Sequence, residues 1–328
     1  MVEMLALLGS IDLNLSRHAQ ADQELGQALA LTAPGGVGGD GRRGAILHDI
    51  CLLRSHQDRD ADAHKACEEA VALRERAFGP ESDEVAATLN LLGGIYADAL
   101  QAGPGEPLLR RALAIRNKLD PEGTGAADVH RNLGRLLTGA GRFEEAEAEL
   151  RRALAIYRAK SGTEGADAAN AMDNLRDVLT RRREYAEAEQ LELQAISLTE
   201  KQYGRDSDNV AQMLIGLGSL YKTQGRNADA ELIFRRSLAI EEKLFGPESI
   251  NLSTSLNGLA GALSNQGKNE ESEMHYLRGI GIVEKSGDTN TDRFAGQLND
   301  LGVLYLNMRR ASAVACSMSL SAPVVFVP

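Results

Sequence analysis

An apolar anchor followed by a small residue returns about every 42 positions along this chain, at Leu8, Ile50, Leu92, Leu133, Leu175, Leu217, Leu259 and Leu301. The successive spacings are 42, 42, 41, 42, 42, 42 and 42 residues. A unit of that length cannot bury its own apolar face and must stack on its neighbours, so the expected product is an elongated solenoid with a continuous inner surface. Length then counts repeats rather than globular domains: about seven and a half units over residues 1–310, followed by an uncharged apolar tail at 311–328. Aromatic residues make up 4% of the chain and Trp is absent, while Ala, Leu and Gly abound, which suits helices packed through small side chains. The expected fold class is all-α, a right-handed superhelix of antiparallel helix pairs.

The stretch from His130 to Lys160 shows the unit most plainly. Leu133, Leu136 and Leu137 fall at i, i+3 and i+4, one apolar stripe on a first helix, and Gly141 ends that helix near the C′ position that glycine favours. Ala146, Leu150, Ala153, Leu154 and Tyr157 continue the spacing on a second helix, so the two stripes face each other across a short turn. Gly134 and Ala146 are small enough to let the backbones approach closely. A leucine at Gly134 would overpack that contact, at a cost of about 1–3 kcal/mol.

The same features recur on first helices as LNLLGGIY at 89–96, LIGLGSLY at 214–221 and LNDLGVLY at 298–305. On second helices they recur as RRALAI at 110–115 and 151–156 and as RRSLAI at 235–240. Between units the chain reads FGPESDEVA at 78–86, YGRDSDNVA at 203–211 and FGPESINLS at 245–253, where Gly stops one helix and Ser or Asp is placed to cap the next. This combination resembles the 42-residue tetratricopeptide repeats of the kinesin light chain-like family, over about residues 3–310. The resemblance implies a tetratricopeptide-type α-solenoid whose first helices line a concave groove, and it is far more specific for fold than for function. Kinesin light chains carry a heptad coiled coil ahead of their repeats, whereas this sequence begins inside the first repeat, so a motor-subunit role is not expected.

The family often places asparagines just before the anchor, where a side-chain amide both donates to and accepts from an extended peptide backbone. Matching positions are Asn90, Asn132, Asn174, Asn257 and Asn299, with His48, Arg131, Asp173 and Asp300 beside some of them and Arg135, Asp177, Ser219 and Lys222 one turn later. The candidate peptide-binding set is Asn90, Arg131, Asn132, Arg135, Asp173, Asn174, Lys222, Asn257 and Asn299. Each hydrogen bond contributes only about 0.5–1.5 kcal/mol net, so several repeats must act together. The same asparagines also fit a structural role, bonding neighbouring helices to one another. Arg131 and Arg135 occupy the repeat positions that Asp173 and Asp177 hold one unit later, so opposite charges are expected to face each other across adjacent helices. Such a ladder is either purely structural or also sets the charge of the partner.

Other patterns point away from chemistry. Arg110–Arg111, Arg151–Arg152 and Arg235–Arg236 form a basic series, but Glu106, Glu147 and Glu231 stand four residues ahead of each, the favourable order for an exposed helix pair. A formal charge of −11 and a pI near 5.2 oppose nucleic acid and anionic membrane as partners. No long apolar run suggests a membrane span, and no basic segment ahead of an apolar stretch suggests a signal peptide. Three cysteines, Cys51, Cys67 and Cys316, are too few for a disulfide scaffold, and the odd count fits a reducing, cytoplasmic compartment. His48-x-x-Cys51 and His64-x-x-Cys67 have zinc-like spacing, yet Cys51 takes the small position after the anchor and Cys67 the packed position equivalent to Leu150. No metal is expected. Gly36-x-Gly38-x-x-Gly41 follows a helical pattern rather than a strand and reads as a flexible inter-repeat linker.

After Arg309-Arg310 the second helix of the pattern does not arrive, and residues 311–328 carry no charge. A truncated or misread end, an apolar strap over the last helix and a docking segment all fit such a tail. The function expected from the sequence is a non-catalytic adaptor that binds an extended peptide segment of a protein partner in the groove, without nucleic acid, membrane or small-molecule cofactor. Two alternatives stand beside it: a peptide-sensing regulatory module, and a detached repeat arm of a larger signalling enzyme or ATPase.

Overall fold

The computed structural model describes residues 1–15, 17–32, 39–57, 59–161, 165–287 and 292–320; of residues 292, 293 and 310–320 only the backbone is described. Among the described residues there are fifteen α-helices and no strand. They are α1 (Val2–Asn14), α2 (His18–Ala30), α3 (Gly39–His56), α4 (Asp60–Phe78), α5 (Asp83–Asp98), α6 (Ala102–Leu119), α7 (Thr124–Gly139), α8 (Phe143–Ser161), α9 (Ala166–Arg181), α10 (Tyr185–Tyr203), α11 (Asp208–Thr223), α12 (Asn227–Phe245), α13 (Ser253–Asn265), α14 (Asn269–Ser286) and α15 (Asp292–Leu320). Two compact units result, Met1–Arg182 and Arg183–Pro328. Within the first, α1/α2, α3/α4, α5/α6 and α7/α8 pack as hairpins; within the second, α11/α12 and α13/α14 do so.

The small residue after each anchor is what brings the two helices of a hairpin together. A Cβ placed on Gly93 would lie 2.5 Å from Leu109, one on Gly134 2.5 Å from Leu150, one on Gly9 2.7 Å from Leu25 and one on Gly218 2.9 Å from Phe234. In each case the large partner stands sixteen residues after the glycine. Two repeats depart from this rule. In α9 the position after the anchor is Arg176, whose guanidinium pairs with Asp173 at 2.6 Å on the same helix. In α3/α4 the pair is Cys51 and Cys67, and their sulfurs are joined in a disulfide with Cα atoms 5.4 Å apart. The cysteine count therefore carries no inference about a reducing compartment, and the two sulfurs, bonded to each other, offer no thiolate to a metal.

The turn inside a hairpin needs a left-handed residue. Gly141, Gly225 and Gly267 supply it with φ of +75°, +73° and +75°, whereas Leu100 and Arg183 adopt φ of +55° and +65° at the corresponding turns. Between hairpins the FGPES segments act as clasps on the next unit. Arg111 donates to the Pro80 carbonyl at 3.2 Å and to Glu75 at 2.6 Å, while Lys118 reaches Glu81. In the second unit Arg278 donates to the Pro247 carbonyl at 2.8 Å and Lys285 to Glu248 at 2.8 Å. Ser82 caps α5 by accepting from the Val85 amide at 3.4 Å, and Ser249 caps a 3-10 turn at Ile250–Leu252. Ser207 instead turns its hydroxyl back to the Gly204 carbonyl.

The basic series on the second helices is neutralised as its spacing suggests. Arg110 pairs with Glu106, Arg151 with Glu147 and Arg235 with Glu231 at 2.6–2.9 Å. Each of these glutamates also takes a cation from the following repeat: Arg142 for Glu106, Arg182 for Glu147 and Lys268 for Glu231. At Glu231 burial would raise the carboxyl, but hydrogen bonds from Lys268, Gln266 and Arg235 outweigh it and hold the group down at about 2.

Gly41, read from sequence as part of a linker, lies in the first turn of α3, where a Cβ would sit 2.6 Å from the Phe78 ring. Gly36 and Gly38 of the same motif fall outside the described residues. Helix α15 continues past residue 310 to Leu320; residues 321–328 of the apolar tail, and the side chains of 310–320 including Cys316, lie outside the description. Among the described residues no helix is long and apolar enough to cross a membrane.

Candidate functional site

A cleft of about 750 Å3 opens on the first helices of the first unit, walled by α3, α5 and α7 and lined also by Asp60 of α4 and Arg116 of α6. Asn90 reaches it from α5, and Arg131, Asn132 and Arg135 from α7, so four of the sequence-derived candidates share one concavity. These residues cluster because α5 and α7 are successive first helices in near-identical register: Asn90 and Asn132 stand 42 residues apart. The Asn132 amide donates to the Asn90 carbonyl oxygen at 3.0 Å, and Arg135 donates to the Asn132 carbonyl oxygen at 3.4 Å. Gly94 makes the room for this, since a Cβ there would lie 3.2 Å from the Asn132 amide nitrogen. The asparagines thus bond neighbouring helices and line the cleft at the same time. Asn90 keeps its amide N–H groups without a partner among the described residues, available to a carbonyl that enters.

Charge in the cleft is close to balanced. Arg135 pairs with Asp98, Arg116 with Asp83 on α5, and Arg131 lies 3.9 Å from Asp128 on its own helix. Asp128 accepts from the Tyr157 hydroxyl at 2.5 Å; burial raises its carboxyl, and the same burial with the neighbouring Asp128 charge raises the Tyr157 phenol. His48 enters from α3 with Nδ1 3.3 Å from the Thr88 hydroxyl. Burial, helped by the nearby Arg74 guanidinium, pushes it down to about 4, so it is a neutral hydrogen-bonding group near pH 7.

A second hollow adjoins the first and shares Asp98 and Arg135 with it. Asn174, Asp177 and Arg181 of α9 line it. The Arg135–Asp98 ion pair stands where the two hollows meet. The expected facing of Arg131 with Asp173 and of Arg135 with Asp177 does not occur. Both aspartates are engaged by Arg176, at 2.6 Å and 3.7 Å, and Asp177 also by Arg181 at 3.1 Å. The reason is local: the arginine that replaces the small residue after the anchor in α9 lies three residues after Asp173 and next to Asp177.

The remaining candidates belong to the second unit and are not gathered into one cavity. The Lys222 side chain lies over Gly261, whose Cβ would come within 3.3 Å of the ammonium and 3.5 Å of the Tyr276 hydroxyl. Asn257 donates to Asp300 at 3.2 Å, and Asn299 is exposed on α15. Sequence reasoning missed Asp98, Arg116 and Asp128 as cleft residues. Asp98 was readable as the last residue of the helix that carries Asn90; Arg116 was not, because its repeat position holds no consistent residue type, with Arg74, Tyr157, Thr199 and Glu241 at the same place in other repeats.

The tetratricopeptide repeat family matches residues 42–118, 105–159 and 167–243, more than half of the chain. The sequence has no match among curated proteins. Among solved structures, BtubC (BKLC) from P. vanneervenii is similar with a TM-score of 0.58 at 21% identity, over 71% of this chain and 92% of that one. A tetratricopeptide repeat protein from Parabacteroides merdae gives 0.59 at 13% identity, over 93% and 98% of the two chains. A Rap protein complexed with Competence and Sporulation Factor gives 0.62 at 15% identity, over 88% and 81%. At these identities the likeness is one of fold, an all-α array of tetratricopeptide type.

Proposed function

The chain belongs to the tetratricopeptide repeat family, and from that premise we propose that it is a non-catalytic interaction scaffold which holds an extended segment of a protein partner in the α3–α5–α7 cleft. The observation that carries this reading is the convergence of Asn90, Arg131, Asn132 and Arg135 on one cleft. An extended backbone presents alternating donors and acceptors that no short-range partner satisfies. The cleft answers with amides that do both, arginines that donate and aspartates that accept. Asn174 and the adjoining hollow lengthen the track along the first unit. Asp173, Lys222, Asn257 and Asn299 do not line this cleft.

Micromolar binding corresponds to about −8 kcal/mol, more than a few hydrogen bonds supply after ordering costs, so apolar contacts at Leu52, Leu91 and Ile95 of the cleft wall must contribute. The likeness to a Rap protein complexed with Competence and Sporulation Factor supports a second reading, in which the bound segment is a signal and the array reports its presence. A display library of linear peptides selected on the full chain tests both. Enriched peptides should bind at micromolar Kd and lose about tenfold or more with Asn90→Ala/Arg135→Ala at unchanged circular dichroism. Peptides that bind this variant as tightly as wild type remove the cleft as the site. A ligand-dependent change in small-angle scattering separates the sensing reading from the scaffold reading.

A further inference from the structure

The hairpin that forms the α3 wall of the cleft departs from the packing that five others share. In those five the position after the anchor and the position sixteen residues on are filled by a small and a large side chain: Gly9 with Leu25, Gly93 with Leu109, Gly134 with Leu150, Gly218 with Phe234 and Ala260 with Tyr276. In α3/α4 the same two positions hold Cys51 and Cys67, both fully buried and covalently joined. Two short side chains replace one that interdigitates, and the bond substitutes for the lost packing.

The tie from this hairpin to the next repeat also differs, while Arg43–Glu69 and Arg76–Asp40 pair α3 with α4 at the surface. Glu106, Glu147, Glu189 and Glu231 each anchor a cation of the next repeat, but their counterpart in α4 is His64, stacked on Tyr96 at a ring separation of 4.3 Å. The disulfide lies in the core cluster with Leu47, Leu92 and Ile95, directly behind the cleft wall to which α3 contributes His48, Leu52 and Ser55.

We propose that the Cys51–Cys67 bond is a redox-operated brace on the α3 wall, so that the cleft is formed in the oxidised protein and loosened when a dithiol reductant opens the bond. The reductant's thiolate attacks one cysteine sulfur, the S–S bond breaks and a mixed disulfide forms, and the other cysteine leaves as a thiolate that takes a proton. The second thiol of the reductant then attacks the mixed disulfide, releasing the first cysteine as a thiol and closing the reductant's own disulfide. Two electrons and two protons pass from the dithiol to Cys51 and Cys67. Because both sulfurs are buried, attack requires a local opening of α3 from α4, and once the thiols are free that opening is no longer limited by a covalent tie. The proposal takes its consequence from the reading of the cleft as the binding face, but its test reads the wall itself, so failure of one is distinguishable from failure of the other.

The experiment is amide hydrogen exchange by mass spectrometry on the full chain, oxidised and after dithiothreitol, with thiols counted in denaturant. One thiol is expected before reduction and three after, Cys316 being the constant one. Reduction should speed exchange across residues 44–56 by about tenfold or more while α7 and α8 stay unchanged. The variant Cys51→Gly/Cys67→Leu, which installs the pair used by the other hairpins, should be as protected as the oxidised protein and indifferent to dithiothreitol. Should that variant fail to fold, Cys51→Ser/Cys67→Ser must exchange at the reduced rate. Three thiols before reductant, or unchanged exchange at 44–56 in protein proven to be reduced, would overturn the proposal.

Discussion

The first unit gathers amides and ion pairs around an open cleft, whereas the second buries the Glu241 carboxyl between repeats. In the first, Asn90, Asn132, Arg131 and Arg135 reach solvent-accessible space, and their charges are matched by Asp98 and Asp128. In the second, Glu241 on α12 is fully buried with neither carboxyl oxygen in good hydrogen-bond geometry among the described residues. Around it the Ser237 hydroxyl donates to the Ala211 carbonyl and pairs with Ser255, while Gln297 donates to the Ser253 hydroxyl at 2.6 Å. Both arrangements use the same repeat. The anchor and the position after it fix how helices meet, and the positions that neither touches are free to become a site in one place and a strained junction in another.

The sharpest test of that contrast is pH. Burial pushes Glu241 up to about 7, with a further push from Asp208 and only partial relief from Ser255. A folded-state value above the unfolded one means that ionisation opposes folding. The penalty is absent below about pH 4.5 and fully developed above about 7, reaching about 3 kcal/mol there. Glu241→Gln should therefore stabilise the second unit at pH 8, by up to that amount, and leave it unchanged at pH 4. Denaturant melts of both proteins at the two pH values decide it, and equal melts at pH 8 would show that Glu241 is solvated or compensated.

Next in size is the helix contact. Gly134→Ala drives a Cβ to 2.5 Å from Leu150, so destabilisation of about 1–3 kcal/mol is expected, with Gly134→Leu at or beyond the upper end. The control is Gly302→Ala on α15, where nothing lies within 4 Å of the new Cβ and the higher helix propensity of alanine should stabilise by about 0.5–1 kcal/mol. Opposite signs in thermal melts would show that the glycine after the anchor matters for its contact and not for its place in the pattern. Smaller again is the turn: Arg183→Gly relieves a non-glycine residue at φ +65° and should add about 1 kcal/mol, whereas Gly225→Ala at φ +73° should lose about as much.

What was legible in the sequence follows the same division. The 42-residue register dictated the hairpins, the close approach at Gly134 and the Glu–Arg pairs, because each rests on spacing along one helix or on one residue repeated at one position. The location of the cleft was legible as far as Asn90, Asn132, Arg131 and Arg135, which share a face by periodicity. Its electrostatics were not. Arg116, Tyr157 and Glu241 occupy one repeat position in three units, and Arg74 and Thr199 occupy it in two more, so no residue type announces that the position is buried against the next first helix. The Arg131–Asp173 facing failed for the complementary reason, since Arg176, a local departure from the small-residue rule, captured both aspartates. The disulfide was hidden by a sound argument applied to the wrong quantity: three cysteines say little about pairing, while a separation of sixteen residues at the tightest contact of the repeat says a great deal.

The smallest expected effect on stability belongs to the residue with the largest expected effect on the cleft. Arg135 is one of the pair that stands between the two hollows, and Asp98, its partner, is mostly exposed. Surface pairs of this kind contribute about 0–1 kcal/mol, so Arg135→Ala should move the melting temperature by no more than a degree or two. Yet removing the side chain merges the hollows, frees Asp98 and deprives Asn132 of the donor at its carbonyl oxygen. The cleft then changes from nearly neutral to acidic, and peptides selected on it should shift toward basic residues at the same position. Selection on the variant that returns the wild-type peptides would mean that Arg135 serves only to tie α7 to α5, and that the specificity of the cleft resides in Asn90 and Arg131.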